Sequence, residues 1–358
     1  MTNIFNLIFL PGAAAAIIVY LVTPLVIKLA WKIKIIDDPK KNKQAKVIHT
    51  YPVPRGGGLA IFSGVVVSSL IFLPLDKHLI GILLGSLILI TMGILDDKYN
   101  LHPLKRLIIQ FIVAGIPIAS GIGIAFLTNP FNGILDLSRP QIIFNFFGDE
   151  KSIWLLSDLF ALFWIVSLMN FLNMGAKGVD GQLTGTVIVA AATIAILSLK
   201  YSADITQWPV IILAAITIGS YLGFLPWHIY PQKIMPGFGG STLAGYLLGV
   251  LSILSTTKVG TLMLVLAIPL IDTGFVIIRR VATGRSPFWG DRGHLHHKFL
   301  DSGWSKQKIA SFYWCVTATL GIVALNLNAS YKLYTIIGIS VFIGGILLWL
   351  TYRKRKSL

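Results

Sequence analysis

Between positions 285 and 299 the chain reads Arg-Ser-Pro-Phe-Trp-Gly-Asp-Arg-Gly-His-Leu-His-His-Lys-Phe, which crowds Asp291, Arg292, His294, His296 and His297 into seven residues. Imidazoles donate or accept hydrogen bonds near neutral pH, and a guanidinium forks onto phosphate oxygens. Together they can grip a phosphate and a leaving group. Basic residues facing lipid headgroups would fill such a loop too, but three histidines exceed what that role needs.

Other polar loops carry complementary residue types. The first runs Asp37-Asp-Pro, reaches His49, and ends in Pro52-Val-Pro-Arg55-Gly-Gly-Gly58. Glycines at a helix start let backbone N–H groups approach an anion, and Arg55 adds charge. Lys46 adds charge to the same loop. The second places Asp96 and Asp97 at the end of an apolar run, before Lys105 and Arg106. Paired carboxylates there need a metal or cationic partners, and a hard cation such as Mg2+ takes carboxylate and phosphate oxygens. Helical geometry points the two about 100° apart, so one can hold metal while the other meets Lys105 or a substrate. The third loop has Asn170 and Asn173 one turn apart, then Lys177, and Asp180 at the tip of a glycine turn. The fourth contains His228 and Gly237-Phe-Gly-Gly-Ser241, a second phosphate-cradle pattern. Finally, Asp272 lies inside an apolar run, where an ionisable side chain is functional by default.

These loops must be held by something, and the chain between them is a membrane scaffold. Of 358 residues 55% are hydrophobic and 12% charged, half the charged share of a soluble domain. Eleven runs, roughly 5–27, 57–75, 79–95, 107–127, 153–172, 184–199, 209–226, 241–256, 260–281, 309–327 and 333–352, read as transmembrane helices, ten if one of the short runs fails. The fold expected is an all-α integral membrane protein forming one polytopic domain over 1–358. A small extracytoplasmic β-hairpin at 129–152 interrupts it, with runs 133–137 and 141–147 flanking Ser138-Arg-Pro140. The first run lacks a basic leader and a cleavage site and reads as a retained span. The net charge of +16 would point to nucleic acid in a soluble protein. Here 24 of the 30 Lys and Arg fall in alternate loops, which marks those loops as cytoplasmic, places the N-terminus outside and the C-terminus inside, and makes the bilayer, not nucleic acid, the partner. Six of seven histidines share that side. The single Cys315 excludes a disulfide or thiolate metal site.

Read together, Asp96-Asp97, Asn170-x-x-Asn173 leading to Asp180-Gly181, Pro269-Leu-Ile-Asp272 and Asp291-Arg-x-His-Leu-His-His297 resemble the polyprenyl-phosphate N-acetylhexosamine-1-phosphate transferases, glycosyltransferase family 4. The likeness runs from about Asp37 to Leu300, and the His-Leu-His-His form is closest to the UDP-N-acetylglucosamine branch. It implies a multi-pass protein of the cell membrane that transfers N-acetylhexosamine 1-phosphate from a UDP-sugar to undecaprenyl phosphate. UMP is released, Mg2+ or Mn2+ assists, and the product begins a lipid-linked cell-wall or surface-polysaccharide precursor. A homodimer is a family expectation. Cytoplasmic loops 28–56, 96–106, 173–184, 227–241 and 282–308 would form the active site. The resemblance makes Asp96, Asp97, His294, His296 and His297 catalytic. It gives substrate binding to His49, Arg55, Asn170, Asn173, Lys177, Asp272, Asp291 and Arg292, and metal binding to Asp97, Asn173 and Asp180.

This chain also departs from the family pattern. Lys177 stands where the family has an Asp, Phe238 where it has a metal-ligating Asp, and His228 where it has an Asn. Phe cannot ligate Mg2+. Either Asp180 or Asp272 supplies the ligand, Lys177 replaces part of the metal's charge, or the protein binds lipid phosphate or nucleotide without turnover. A transporter of anions or lipids is the remaining class, but its binding groups would lie at the midplane of repeated halves.

Overall fold

The apolar runs fold as helices because hydrocarbon leaves the backbone no other partner for its N–H and C=O groups. A computed structural model describes residues 5–42, 47–131, 133–146, 149–255, 258–287 and 290–356. Lys46 and Phe288 lie outside the described residues. Helix α1 spans Leu10–Lys32, preceded by a π-helical turn at Phe5–Phe9. A two-residue ladder follows, β1 (Ile36–Asp37) with β2 (Val53–Pro54). Helices α2 (Gly58–Phe72), α3 (Lys77–Tyr99) and α4 (Pro103–Ala119) come next. Asp76 caps α3 by accepting from the Leu79 amide at 2.8 Å, the usual way of satisfying a helix's free amides. Asn100 ends α3 in the left-handed conformation, so Asp96 and Asp97 occupy its last turn.

The segment between α4 and the next helix forms two hairpins. Strand β3 (Phe126–Thr128) pairs with β4 (Ile134–Asp136), and β5 (Gln141–Phe146) with β6 (Asp149–Trp154). The two runs expected to pair with each other therefore pair elsewhere, 134–136 backward and 141–146 forward. Helices α5 (Leu155–Phe171), α6 (Gln182–Leu199), α7 (Trp208–His228) and α8 (Gly237–Leu254) follow, with a π-helical turn at Leu172–Ala176 after α5. Helices α9 (Lys258–Val265) and α10 (Ala267–Ala282) meet at an angle of 80° across a break at Leu266. The cause is Pro269, which has no N–H to give the Val265 carbonyl four residues earlier and whose ring crowds it. Helices α11 (Leu295–Asp301), α12 (Lys306–Asn326) and α13 (Ala329–Lys356) complete the chain.

The protein is thus a mostly helical multi-pass membrane protein. Every one of the eleven expected spans contains a helix, but full-length spans are fewer. Among the described residues eight helices are long and apolar enough to cross a membrane, nine if the bent pair counts as one. Helices α2 and α4 have 15 and 17 residues, about 22 and 26 Å against a hydrocarbon thickness of about 30 Å.

Helix α8 is the axis of the bundle, with every residue from Gly237 to Ile253 buried. Glycines let its neighbours in. Gly58 of α2 lies against Gly240, Gly93 of α3 against Gly239, and the α5 backbone at Leu168 and Met169 against Gly245; an added Cβ at Gly58, Gly93 or Gly245 would overlap the backbone opposite. Small residues at helix contacts replace the hydrophobic driving force that lipid removes. Outward apolar side chains, such as Ile17, Leu21 and Leu25 on α1 and Val341 and Phe342 on α13, remain exposed, as lipid contact requires.

Candidate active site

The first and fourth loops are knitted together at the start of α8. The Met235 amide donates to Pro54 O at 2.8 Å, Gly57 N to Met235 O at 3.0 Å, and Gly58 N to Pro236 O at 2.9 Å. Asp97, from the last turn of α3, accepts from the Phe238 amide at 3.1 Å, a carboxylate on a helix N-terminus. Its Oδ2 is buried with no hydrogen-bond partner among the described residues. Gly237 has φ +69, and a Cβ there would overlap the Asp97 carboxylate. From the far side comes the π-helical turn after α5. Asn173 Oδ1 accepts from Ser241 Oγ at 2.7 Å and from Lys177 Nζ at 2.8 Å. Lys177 Nζ also lies 3.3 Å from Gly237 O and 3.4 Å from Ser241 Oγ. Asp97 and the turn carrying Asn173 and Lys177, distant in sequence, thus meet at one helix end.

Arg55 borders this group, and its charge bears on Asp97 together with that of Lys177. The short β1–β2 ladder holds Arg55 against Asp37, with Nη2 2.5 Å from Oδ2, while Asn42 donates to Oδ1 at 3.0 Å and His49 Nε2 sits 3.9 Å away. Burial alone would raise the Asp37 carboxyl, but Arg55, Asn42 and His49 hold it below its ordinary range.

The histidine segment forms a second group. Asp272, fully buried just past the 80° bend, binds His294 Nδ1 at 3.0 Å and accepts from the Leu295 amide at 2.8 Å. One carboxylate therefore caps α11 and orients an imidazole. The His294 and His296 rings are parallel at 5.5 Å, and His297 lies 4.4 Å from His296. All three are buried. Burial, with His297, His294 and Arg292 nearby, pushes His296 well below the ordinary imidazole value. Burial, then Arg292 and His294, lowers His297 to about 4. Both rings are neutral at pH 7, with Nδ1 atoms unpartnered among the described residues. Gly178 joins the two groups, because a Cβ there would overlap the His296 imidazole, and Gly178 adjoins Lys177. Gln182 fixes the turn: its Oε1 accepts from the Gly178 and Val179 amides at 3.1 Å each, and its Nε2 donates to Gly175 O at 3.0 Å.

Other expected site residues are held in local pairs. Asp96 accepts from the Leu101 amide at 3.1 Å and pairs with Arg106 at 3.5 Å; Lys105 is not its partner. Asn170 bridges Gln110 and Val166 O, both at 2.8 Å. Asp291 is clamped by Arg279 at 2.6 Å and Arg280 at 3.1 Å. Burial opposes its ionisation, but Arg280, the Gly293 amide and Arg279 outweigh that and lower its carboxyl. Arg292 pairs with Asp301 at 2.7 Å. His228 is buried against Thr184. Asp180 accepts from the Gln232 amide at 3.3 Å and Nε2 at 3.1 Å, with Lys306 at 3.4 Å.

A divalent ion does not fit this donor set. Lys177 occupies the acceptor of Asn173, Asp180 is turned to Gln232 and Lys306, and the Phe238 ring stacks near Arg106 at 5.1 Å. Among the described residues no three His, Cys, Asp or Glu side chains stand where they could hold a metal ion together. What the sequence reading missed are Gln182, Gln232, Lys306 and the Arg279–Arg280 clamp. Only Gln182 carried a signal, as a Gln at a helix start within reach of preceding amides.

Comparison with known proteins gives a consistent result. Residues 79–256 match the family described as Glycosyl transferase family 4. The probable undecaprenyl-phosphate N-acetylglucosaminyl 1-phosphate transferase of Bacillus subtilis (strain 168) is 31% identical over 319 residues, covering 87% of this chain and 82% of that protein. The decaprenyl-phosphate N-acetylglucosaminephosphotransferase of Mycobacterium leprae (strain TN) is 28% identical over 349 residues, 88% of this chain and 82% of that protein. The undecaprenyl-phosphate alpha-N-acetylglucosaminyl 1-phosphate transferase of Escherichia coli (strain K12) is 28% identical over 311 residues, 83% and 78% respectively.

Proposed function

The chain belongs to glycosyl transferase family 4, and from that premise we propose that it transfers N-acetylhexosamine 1-phosphate from a UDP-sugar to undecaprenyl phosphate, releasing UMP. The site would face the cytoplasm, and the product would begin a lipid-linked cell-wall or surface-polysaccharide precursor. The observation that carries this reading is the meeting of Asp97, Asn173 and Lys177 at the start of α8, next to a buried triple-imidazole segment.

The net chemistry needs no proton. An oxygen of the lipid phosphate bonds to the β-phosphorus of the UDP-sugar, and the bond from that phosphorus to the bridging oxygen breaks, so UMP departs with the electron pair. Two anions must approach, and preorganised cations and dipoles are what lowers that barrier. Lys177 and Arg55 supply fixed positive charge, and the first turn of α8 adds its dipole. Asp97 holds that turn in place and offsets part of the Lys177 charge, while Asp37 pairs with Arg55. Neutral His296 and His297 would donate hydrogen bonds to the departing phosphate, and Asp272 sets the proton of His294 on Nδ1, because an ionised carboxylate can only accept.

Purified full-length protein with undecaprenyl phosphate and UDP-N-acetylglucosamine is expected to release UMP. Phe238 and Lys177 favour one second reading, a member that binds without turnover. Measured lipid binding without UMP from any UDP-sugar in a panel would select it.

A further inference from the structure

We infer that the ammonium of Lys177 is the resident cation of this site and that the nucleotide diphosphate is bound without a divalent metal. The inference rests on the transferase reading for the identity of the anion. Lys177 Nζ is held 2.8 Å from Asn173 Oδ1, in a nest that includes Gly237 O and Ser241 Oγ. Asp97 accepts from the Phe238 amide in the same helix turn, so the ammonium stands among oxygen donors of the kind a hard cation takes. A divalent ion would have to displace it or bear its repulsion, and the remaining carboxylates are committed elsewhere: Asp96 to Arg106 and Leu101, Asp180 to Gln232 and Lys306, Asp272 to His294 and Leu295. The bond to Asn173 is short. Those at 3.3 and 3.4 Å are near the outer limit of a hydrogen bond and are readily exchanged for phosphate oxygens. Gly237, at φ +69, lets the Asp97 carboxylate close against that side of the nest. Lys177 transfers no proton; it contributes charge and position.

The test is calorimetric binding of UDP to the full-length protein, in EDTA and in Mg2+, alongside UMP release under both conditions. Wild-type affinity in EDTA is expected within about threefold of that in Mg2+, and Lys177→Met is expected to weaken it at least about tenfold in both. Lys177→Gln, which retains hydrogen bonding without charge, should behave as Lys177→Met does, and Lys177→Arg should recover most of the affinity. Thermal unfolding confirms that the variants fold. UDP binding that collapses in EDTA, fails in both conditions, or is indifferent to removal of the Lys177 charge overturns the inference. Metal-free, Lys177-dependent UDP binding without UMP release would leave it standing and sink the transferase reading instead.

Discussion

Asp272→Asn isolates one hydrogen-bond direction. The carboxylate is fully buried and accepts twice, from His294 Nδ1 at 3.0 Å and the Leu295 amide at 2.8 Å. Asparagine has the same shape. Its Oδ1 can still accept from Leu295, so α11 stays capped. Its Nδ2, however, must donate toward His294, and the imidazole proton moves from Nδ1 to Nε2. The variant also removes the charge that would support a doubly protonated ring. Replacing a charge-assisted hydrogen bond by a neutral one costs about 1–2 kcal/mol of stability, which a chain with no newly orphaned buried group survives. The chemical cost is larger. In Ser-His-Asp hydrolases the same reversal lowers kcat by about 10⁴, equivalent to about 5.5 kcal/mol of barrier. No proton passes through His294 in the proposed step, so the loss here is set by the orientation and charge of the imidazole instead, and UMP release by Asp272→Asn is expected to fall about 10²–10³-fold, with UDP affinity within about threefold of wild type. Asp272→Ala should also lose about 3–5 kcal/mol of stability, since His294 and Leu295 both lose their partner. A variant Asp272→Asn that folds and keeps its rate within about tenfold would show that the His294 tautomer has no part in turnover.

The histidine segment gives a pH prediction. His297 falls from 6.5 unfolded to about 4 folded. Below pH 6.5 the unfolded chain takes up a proton that the folded protein refuses, so stability is full above 6.5 and declines as the pH drops toward 4. Between pH 6.5 and 5 the loss is about 2 kcal/mol, and thermal unfolding of His297→Gln should lack that share; equal pH dependence in both proteins would contradict it. Gly178→Ala is expected to push the His296 ring aside, costing about 1–3 kcal/mol and most of the turnover, whereas Gly338→Ala, with open space at its Cβ, should change neither. Lys177→Asp would remove the ammonium and put a carboxylate beside Asn173. It is expected to acquire a Mn2+ site visible by electron paramagnetic resonance, and a variant that binds no Mn2+ would mean that Asp97 and Asn173 do not converge as described.

The elements were legible in sequence because hydrocarbon enforces a simple rule, and Asp97, Asn173, Lys177 and the His294–His297 segment stood out as polar groups beside it. Their partners were not legible. Asp96 could have met Lys105 or Arg106, and only the rotation of α4 selects Arg106. The clamp on Asp291 depends on a loop folding back over α10, and Asp180 finds Gln232 and Lys306 across 52 and 126 residues. Span length was overread for a local reason: apolar composition continues through 120–127, where the chain has already left α4 for a turn and strand β3. The bend at Leu266 was available from Pro269, whose effect on Val265 follows from its ring alone.

Because α8 has no outward face, substitutions in this protein should be tolerated very unevenly. A side chain gained at Gly240, or at Gly58 or Gly93 where they face α8, would disturb the contacts that locate Asp97 and Arg55 together, so the axis admits few alternatives. Helix α13, only 11% buried over its apolar window, can exchange one apolar residue for another at most positions with little consequence for the bundle. Changes in what the site binds would then have to arise in the loops, since the shaft beneath them has no room to vary.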